Sequence, residues 1–517
     1  MLLSELVETS VRVAETRSRL EKVGLLAGCL ARLEGEEVEI GAAFLVGEVR
    51  QGRIGIGWAS LRDAAAPPAA APTLELRDAD AALDQIAATR GPGSASGRGR
   101  IVRALFERAT SAEQDFLRRL LIGELRQGAQ EGVLVDAIAG AAKVEPSRVR
   151  RAVMLSGSVP AVARAALADG AAGLGRFALE PLRPLQPMLA DTAAEPDEAL
   201  ARHARVAVED KLDGARVQLH RVGAEVRVFS RRLNDVTAAV PELVQAARAL
   251  PVRAIVLDGE AIALRSDGSP EPFQTTMRRF GRRLDVERMR AEIPLSVRFF
   301  DCLHLDGEDL IDRTTADRWS ALTAVVPPDE TIGRVITASA AEVADLARAA
   351  LARGHEGVML KALDAPYEAG RRGSSWLKLK PAHTLDLVVL AVEWGSGRRT
   401  GWLSNLHLGA RDPRTGSFVM LGKTFKGMTD AMLRWQTERL LALETGREGH
   451  AVHVRPELVV EIAFDGVQAS PHYPGGLALR FARVKRYRED KSASEADTID
   501  TVRSFYVGSA APGEADG

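Results

Sequence analysis

Cysteine is scarce in this chain. Cys29 and Cys302 are the only two among 517 residues, too few for a tetracysteine zinc site or a disulfide framework, so a reducing interior is expected. Neither sign of charge prevails: 69 Lys and Arg face 70 Asp and Glu, a formal net charge of -1. That balance excludes a uniformly basic packaging protein and leaves room for local patches. No apolar run approaches the roughly 18 residues of a membrane-spanning helix. The start, MLLSELVETSVRVAETRSRL, lacks a basic region leading into an apolar block and carries Glu5 and Glu8 instead; it reads as an amphipathic helix of the mature protein. Hydrophobic residues make up 46% and charged residues 27%, which excludes wholesale disorder. The expectation is a cytoplasmic chain of about three or four globular domains.

From Met1 to about Gly175 the helical period dominates. Phe116, Leu117, Leu120, Leu121 and Leu125 recur at spacings of three and four, with Ser111, Glu113 and Gln114 suiting a helix start and Gly128 a stop. AAAPPAAAPT (64–73) and GPGSASGRGR (91–100) read as exposed connections. The three prolines of EPLRPLQPMLA (180–190) mark a linker. Beyond it, short alternating runs predict strands: 215–221 and 224–232 as a hairpin around Val222-Gly223, then 254–260, 296–305, 357–363 and 375–380, with a helix over 341–354. From about Asp386, four more strand candidates at close spacing suggest a small β-barrel. No internal repeat is found. The expected fold class is multi-domain α and α+β. Residues 1–175 form an all-α domain, 184–383 a central α+β domain, 386–507 a β-barrel, and 508–517 a disordered tail.

The chemistry centres on VAVEDKLDGARVQLHR (206–221). Lys211 falls where a strand meets a turn containing Asp213-Gly214. A lysine whose pKa is pulled down from about 10.4 by burial or neighbouring cations can act as a nucleophile. Gly214 lets the backbone pass close to a ligand, and Arg216 can reach a phosphate. A surface lysine beside an Asp-Gly turn is the plainer alternative.

Lys-x-Asp-Gly-x-Arg resembles the first motif of the covalent nucleotidyltransferases, the superfamily of DNA ligases, RNA ligases and mRNA capping enzymes. The later motifs of that superfamily follow in order: FSRR (229–232), LDGE (257–260), RFFD (298–301), HEGVMLK (355–361), SWLKLK (375–380) and LRFARVKRYREDK (479–491). The resemblance spans Pro184 to Lys491. It implies that Lys211 attacks the α-phosphate of ATP, the co-substrate, and carries AMP. It further implies ATP contacts from Glu209 (which reads the adenine amino group), Arg216, Arg231, Glu260, Phe300 (stacked on adenine), Arg372, Lys378 and Lys380. Arg371 is an adjacent competitor of Arg372. Glu260 and Glu356 are implied for a divalent metal, Mg²⁺ with Mn²⁺ as a substitute. Asp258-Gly259 can equally be a tight turn between strands. Phe299 and Phe300 must point to opposite faces, one of them into the core. Period two also puts Lys378 and Lys380 on one strand face, where they would raise the electrophilicity of phosphorus and disfavour the charged form of Lys211.

From Arg480 to Lys491, six basic residues stand against Glu489 and Asp490. In the superfamily this segment swings over ATP, so Arg480, Arg483, Arg488 and Lys491 are implied to orient the pyrophosphate. The barrel must then open around a hinge near Lys380–Asp386. Some 175 helical residues ahead of the central domain favour a stand-alone bacterial or archaeal ATP-dependent DNA ligase over a capping enzyme, with an OB-fold as the barrel and nicked double-stranded DNA as partner. Arg118, Arg119, Arg126, Arg148 and Arg150 lead the candidates for phosphate contacts, with Arg98, Arg100, Arg103, Lys143 and Arg151 behind them. The lack of a four-cysteine finger favours ATP over NAD, no sliding-clamp box is evident, and a monomer is expected. An RNA ligase or capping-type enzyme, or a non-catalytic DNA-end binder, are the alternatives.

Overall fold

Side-chain caps punctuate the first 175 residues. Thr110 opens the helix Ser111–Leu121, accepting from Glu113 N at 3.4 Å while the Glu113 carboxylate accepts from Thr110 N at 2.7 Å, a reciprocal pairing that satisfies two orphan donors. The computed structural model describes residues 1–506 except 53, 126, 130, 281–284, 369–371, 381–382 and 397–398, and only the backbone of 59 and 372–374. The expected tail at 508–517 lies outside these residues. Among the described residues, ten helices between Leu3 and Leu174 enclose an apolar core that includes Leu6, Phe44, Phe106 and Ile138.

Two expectations here are corrected. The helix from Ser111 stops at Leu121, not at Gly128, because Gly123 adopts φ +70° and Glu124 N donates to Arg119 O at 2.8 Å, closing the helix end. In GPGSASGRGR only the first residues are a connection. Gly91 and Gly93 take positive φ, and a helix runs from Ser94 to Arg108. Buried Val102, Leu105 and Phe106 hold it despite its glycines. Residues 64–73 carry neither helix nor strand, as expected.

The proline-rich segment is extended but not loose. Leu185 and Met188 are buried with Met154 and Leu155 of the helical domain and with Val256, Leu303, Tyr367 and Trp376 of the central one. Leu185 N donates to Gln218 Oε1 at 2.9 Å and Met188 N to Tyr367 Oη at 3.0 Å. Arg151 adds a two-pronged ion pair with Asp312 at 2.6 and 2.7 Å.

The central region holds two five-stranded sheets. One orders its strands Leu189–Ala193, Arg372–Leu379, Val358–Ala362, Val206–Asp210 and Arg334–Thr337; the other runs Glu225–Ser230, Ala215–Val222, Ala254–Ala263, Leu295–Leu305 and Glu308–Asp309. The chain passes from the first sheet to the second at 211–214. Asp258-Gly259 is not a turn but the middle of the strand Ala254–Ala263. Glycine is needed there because a Cβ would lie 2.8 Å from Phe299 Cδ1 and 3.0 Å from Arg298 O.

The last region is β-rich. The long strand His383–Trp394 pairs with Leu403–Arg411 on one side, and on the other with Val459–Phe464 and then Ala451–Val454. Its alternate residues Leu385, Leu387 and Val389 enter a core shared with Leu406, Leu408 and Phe464. A helix, Asp430–Ala442, capped by Thr429, completes this core through Leu433 and Leu440; the strand pattern did not foresee it. No helix among the described residues is long and apolar enough to cross a membrane.

Candidate active site

A cavity of about 1520 Å³ opens between the two central sheets, and Lys426, Asp465, Arg480, Phe481 and Arg483 of the C-terminal domain form part of its wall. Lys211 stands at its seam. Lys211 N donates to Gly357 O at 2.8 Å and Glu356 N to Lys211 O at 3.0 Å, so the two motifs are stitched together through their backbones. Gly357 sits at φ +133°, where a Cβ would meet Leu379 O at 2.4 Å; only glycine fits. The Lys211 ammonium pairs with the Glu356 carboxylate. Lys378 and Lys380 line the same cavity.

Gly214 is also obligatory. A Cβ there would lie 2.4 Å from Ala261 O and 2.9 Å from Glu260 Cγ, so the neighbouring strand alone demands glycine, and Gly214 also lines the cavity. Glu260 itself faces the cavity. Burial pushes its carboxyl up to about 8 from 4.5, with Lys211 and Arg216 pulling the other way. The folded chain therefore holds a proton between those values that the unfolded chain releases. The stabilisation is full below pH 4.5 and is lost as pH rises through about 8. In Glu260→Gln this slope should vanish. Urea unfolding in chelator at pH 5 to 8 should show the variant gaining on wild type by about 1 kcal/mol per pH unit.

Arg216 lines the cavity but its donors are engaged. Nε and Nη2 reach Asp258 at 3.0 and 2.6 Å, Nη1 reaches Met188 O at 2.6 Å, and Tyr367 Oη lies at 3.3 Å from Nη2. Tyr367 also donates to Asp258 at 2.7 Å. Arg216 thus ties the proline-rich segment to the cleft floor. The register of the strands Ala254–Ala263 and Leu295–Leu305 slips so that Asp258 faces Asp301 and Gly259 faces Phe299, leaving Phe300 as the bulged residue. Phe299 is fully buried, whereas Phe300 faces the cavity edge-on to Trp376 at 5.9 Å. Glu209 is buried, held by Arg334 and by Lys361 at 2.7 Å.

The expected alternation holds in the strand Arg372–Leu379: Leu377 and Leu379 are buried while Lys378 and Lys380 face the cavity. Trp376 shares their face, which the same period could have revealed. Arg231 lies at the exposed rim. The side chain of Arg372, and all of Arg371, fall outside the described residues.

The basic C-terminal segment divides. Arg480 and Arg483 line the cavity. Arg480 clasps Asp213 at 2.7 and 3.2 Å, and Asp465 joins Lys380 to Arg483. Burial of the Asp465 carboxyl is outweighed by these two cations, and its pKa lies below the ordinary value. Arg488 and Lys491 instead grip Asp386 at 2.9 and 2.6 Å, and neither is among the residues lining the cavity. His383–Asp386 already belong to a strand, and the preceding strand ends at Leu379, so of the expected hinge Lys380 alone is described outside the strands, 381–382 lying outside the described residues. Asp465 and Arg334 belong to no motif, and nothing in their local sequence singles them out.

Among the helical-domain arginines, Arg118 bonds Gln114 at 2.8 Å and covers the Phe106 ring. Arg119 pairs with Asp115 at 2.8 Å and Arg150 with Asp136. Arg148 is exposed, and Arg126 lies outside the described residues.

Three domain families match this chain: "DNA ligase N terminus" over 59–139, "ATP dependent DNA ligase domain" over 187–380 and "ATP dependent DNA ligase C terminal region" over 399–491. A "Probable DNA ligase" of Anaeromyxobacter sp. (strain Fw109-5) is 63% identical over 510 residues, 98% of each chain. Another of that description, from Sorangium cellulosum (strain So ce56), is 57% identical and covers 100% of this chain and 97% of its own. The solved chain described as Pmar-Lig_PreS3 is 20% identical, with a TM-score of 0.62 over 93% of this chain and 99% of that one, which speaks to the fold. With three matched segments in order and identity above half along nearly the whole length, this chain belongs to the ATP-dependent DNA ligase family.

Proposed function

We propose that this enzyme seals nicks in duplex DNA through a Lys211–AMP intermediate. The observation that carries the reading is the placement of Lys211 in a cavity walled by Lys378, Lys380, Arg480 and Arg483, a nucleophile facing cations suited to a triphosphate. The Lys211 amine attacks the α-phosphorus of ATP. The P–N bond forms, the α–β phosphoanhydride breaks, pyrophosphate leaves and the amine gives up a proton. A 5′-phosphate oxygen of the nick then takes the AMP, restoring the amine. Last, the 3′-hydroxyl attacks that 5′-phosphorus and AMP departs. Positioning and charge stabilisation supply the rate.

Among the described residues no group of three or more His, Cys, Asp or Glu is placed to hold a metal. Glu260 and Glu356 do line the cavity, and one or two carboxylates with water and phosphate oxygens suit Mg²⁺. Those two residues would hold it, and it would neutralise phosphate charge. The test supplies α-labelled ATP and a nicked duplex. Label is expected on protein, then on the 5′ end, then in free AMP as the sealed strand appears. Labelled protein that never passes label to nicked DNA sinks the reading.

A further inference from the structure

Glu209 raises a question of charge. It lies on the strand Val206–Asp210 at the cavity wall, yet its side chain is 2% exposed. Two cations as deeply buried converge on it. Arg334 donates from Nε at 2.8 Å and from Nη2, both to Oε1. Lys361 reaches Oε2 at 2.7 Å. Each cation is itself fixed: Arg334 lies 3.7 Å over the Trp319 ring. The Lys361 ammonium sits 4.5 Å from the centre of the Phe300 ring, 4.4 Å from that of Trp376, and donates to Phe300 O at 3.3 Å. A carboxylate offers acceptors alone, whereas a neutral carboxyl carries a donor as well.

We propose that Arg334 and Lys361 are positioning residues for base selection, holding Glu209 as a pure acceptor so that the site takes the 6-amino group of adenine and rejects the 6-oxo group of guanine. A carboxylate offers about four lone-pair sites. Arg334 occupies two on Oε1 and Lys361 one on Oε2, so the remaining site is on Oε2, the oxygen whose cation also contacts Phe300 and Trp376. An amino donor satisfies that site, whereas a carbonyl sets acceptor against acceptor. The inference rests on the proposed function, with Glu209 facing the base.

The test measures formation of the Lys211–nucleotide adduct with ATP, GTP and purine riboside triphosphate, which lacks the 6-amino group. Wild type is compared with Arg334→Met, Lys361→Met, Arg334→Lys and Glu209→Gln. In the two Met variants the ATP:GTP ratio of kcat/KM should fall roughly tenfold or more, chiefly through a higher KM for ATP. Arg334→Lys should restore part of the ratio. A folded Met variant with an unchanged ratio overturns the proposal, as does an Arg334→Lys ratio no better than that of Arg334→Met, or equal loss with all three nucleotides. If Glu209→Gln, whose amide can also donate to a 6-oxo group, leaves the ATP:GTP ratio at the wild-type value, Glu209 does not face the base and the proposal falls. Labelling of wild type on Lys211 in the same experiment would leave the proposed function standing.

Discussion

Lys211→Ala should form no enzyme–AMP adduct. Mass spectrometry after exposure to ATP and Mg²⁺ should find the wild-type chain heavier by one AMP on Lys211 and the variant unchanged. The loss is expected to be complete because alanine removes the reacting atom, while the backbone bonds joining 211 to Gly357 and Glu356 do not depend on the side chain. The same variant given a nick already carrying 5′-AMP should still seal it, since the last displacement uses the 3′-hydroxyl. Adduct on another residue of the variant, at the wild-type rate, would disprove the assignment. Failure to seal the pre-adenylylated nick would show that Lys211 does more than carry AMP.

Arg318→Met should be the most destabilising of the substitutions considered, by about 3–5 kcal/mol. Arg318 is fully buried and grips Asp301 at 2.7 and 3.1 Å. It also donates to Arg313 O at 2.7 Å and Ala365 O at 3.1 Å. Methionine roughly fills the volume but strands the Asp301 carboxylate in the interior. Asp301 directly follows the bulged Phe300, so the loss should reach the site. Urea denaturation followed by circular dichroism gives the free energy. A change below about 1 kcal/mol would mean that Asp301 finds another partner or water.

How much of this was legible in the sequence depended on the range of the physics involved. The motif loops could be read because their requirements are local. Period two separated Leu377 and Leu379 from Lys378 and Lys380, and it set Phe299 against Phe300. The glycines carry requirements that their local sequence does not show. Gly214 and Gly259 answer to neighbouring strands, Ala254–Ala263 for the first and Leu295–Leu305 for the second, and those neighbours are known only once the sheet is assembled. Composition misled at 91–100, where four glycines and two serines suggested a connection. The tertiary burial of Val102, Leu105 and Phe106 overrides their low helix propensity. Gly123 ended a helix that Gly128 was expected to end: both take positive φ, +70° and +67°, and what marks the first as the stop is the bond from Glu124 N to Arg119 O. Arg334 and Asp465 were invisible: each owes its place to a partner more than 80 residues away in sequence.

The greasy contact around Leu185 and Met188 bears on how this polypeptide can be dissected. A fragment beginning near residue 184 would strip Met154, Leu155 and Leu179 from that cluster, baring apolar surface that would invite self-association. The β-rich end, docked across the cavity through Asp213–Arg480 and Lys380–Asp465, leaves behind wettable surface when removed. Excision at the carboxyl end is therefore the gentler cut, and a soluble two-thirds enzyme comprises the first two domains rather than the last two.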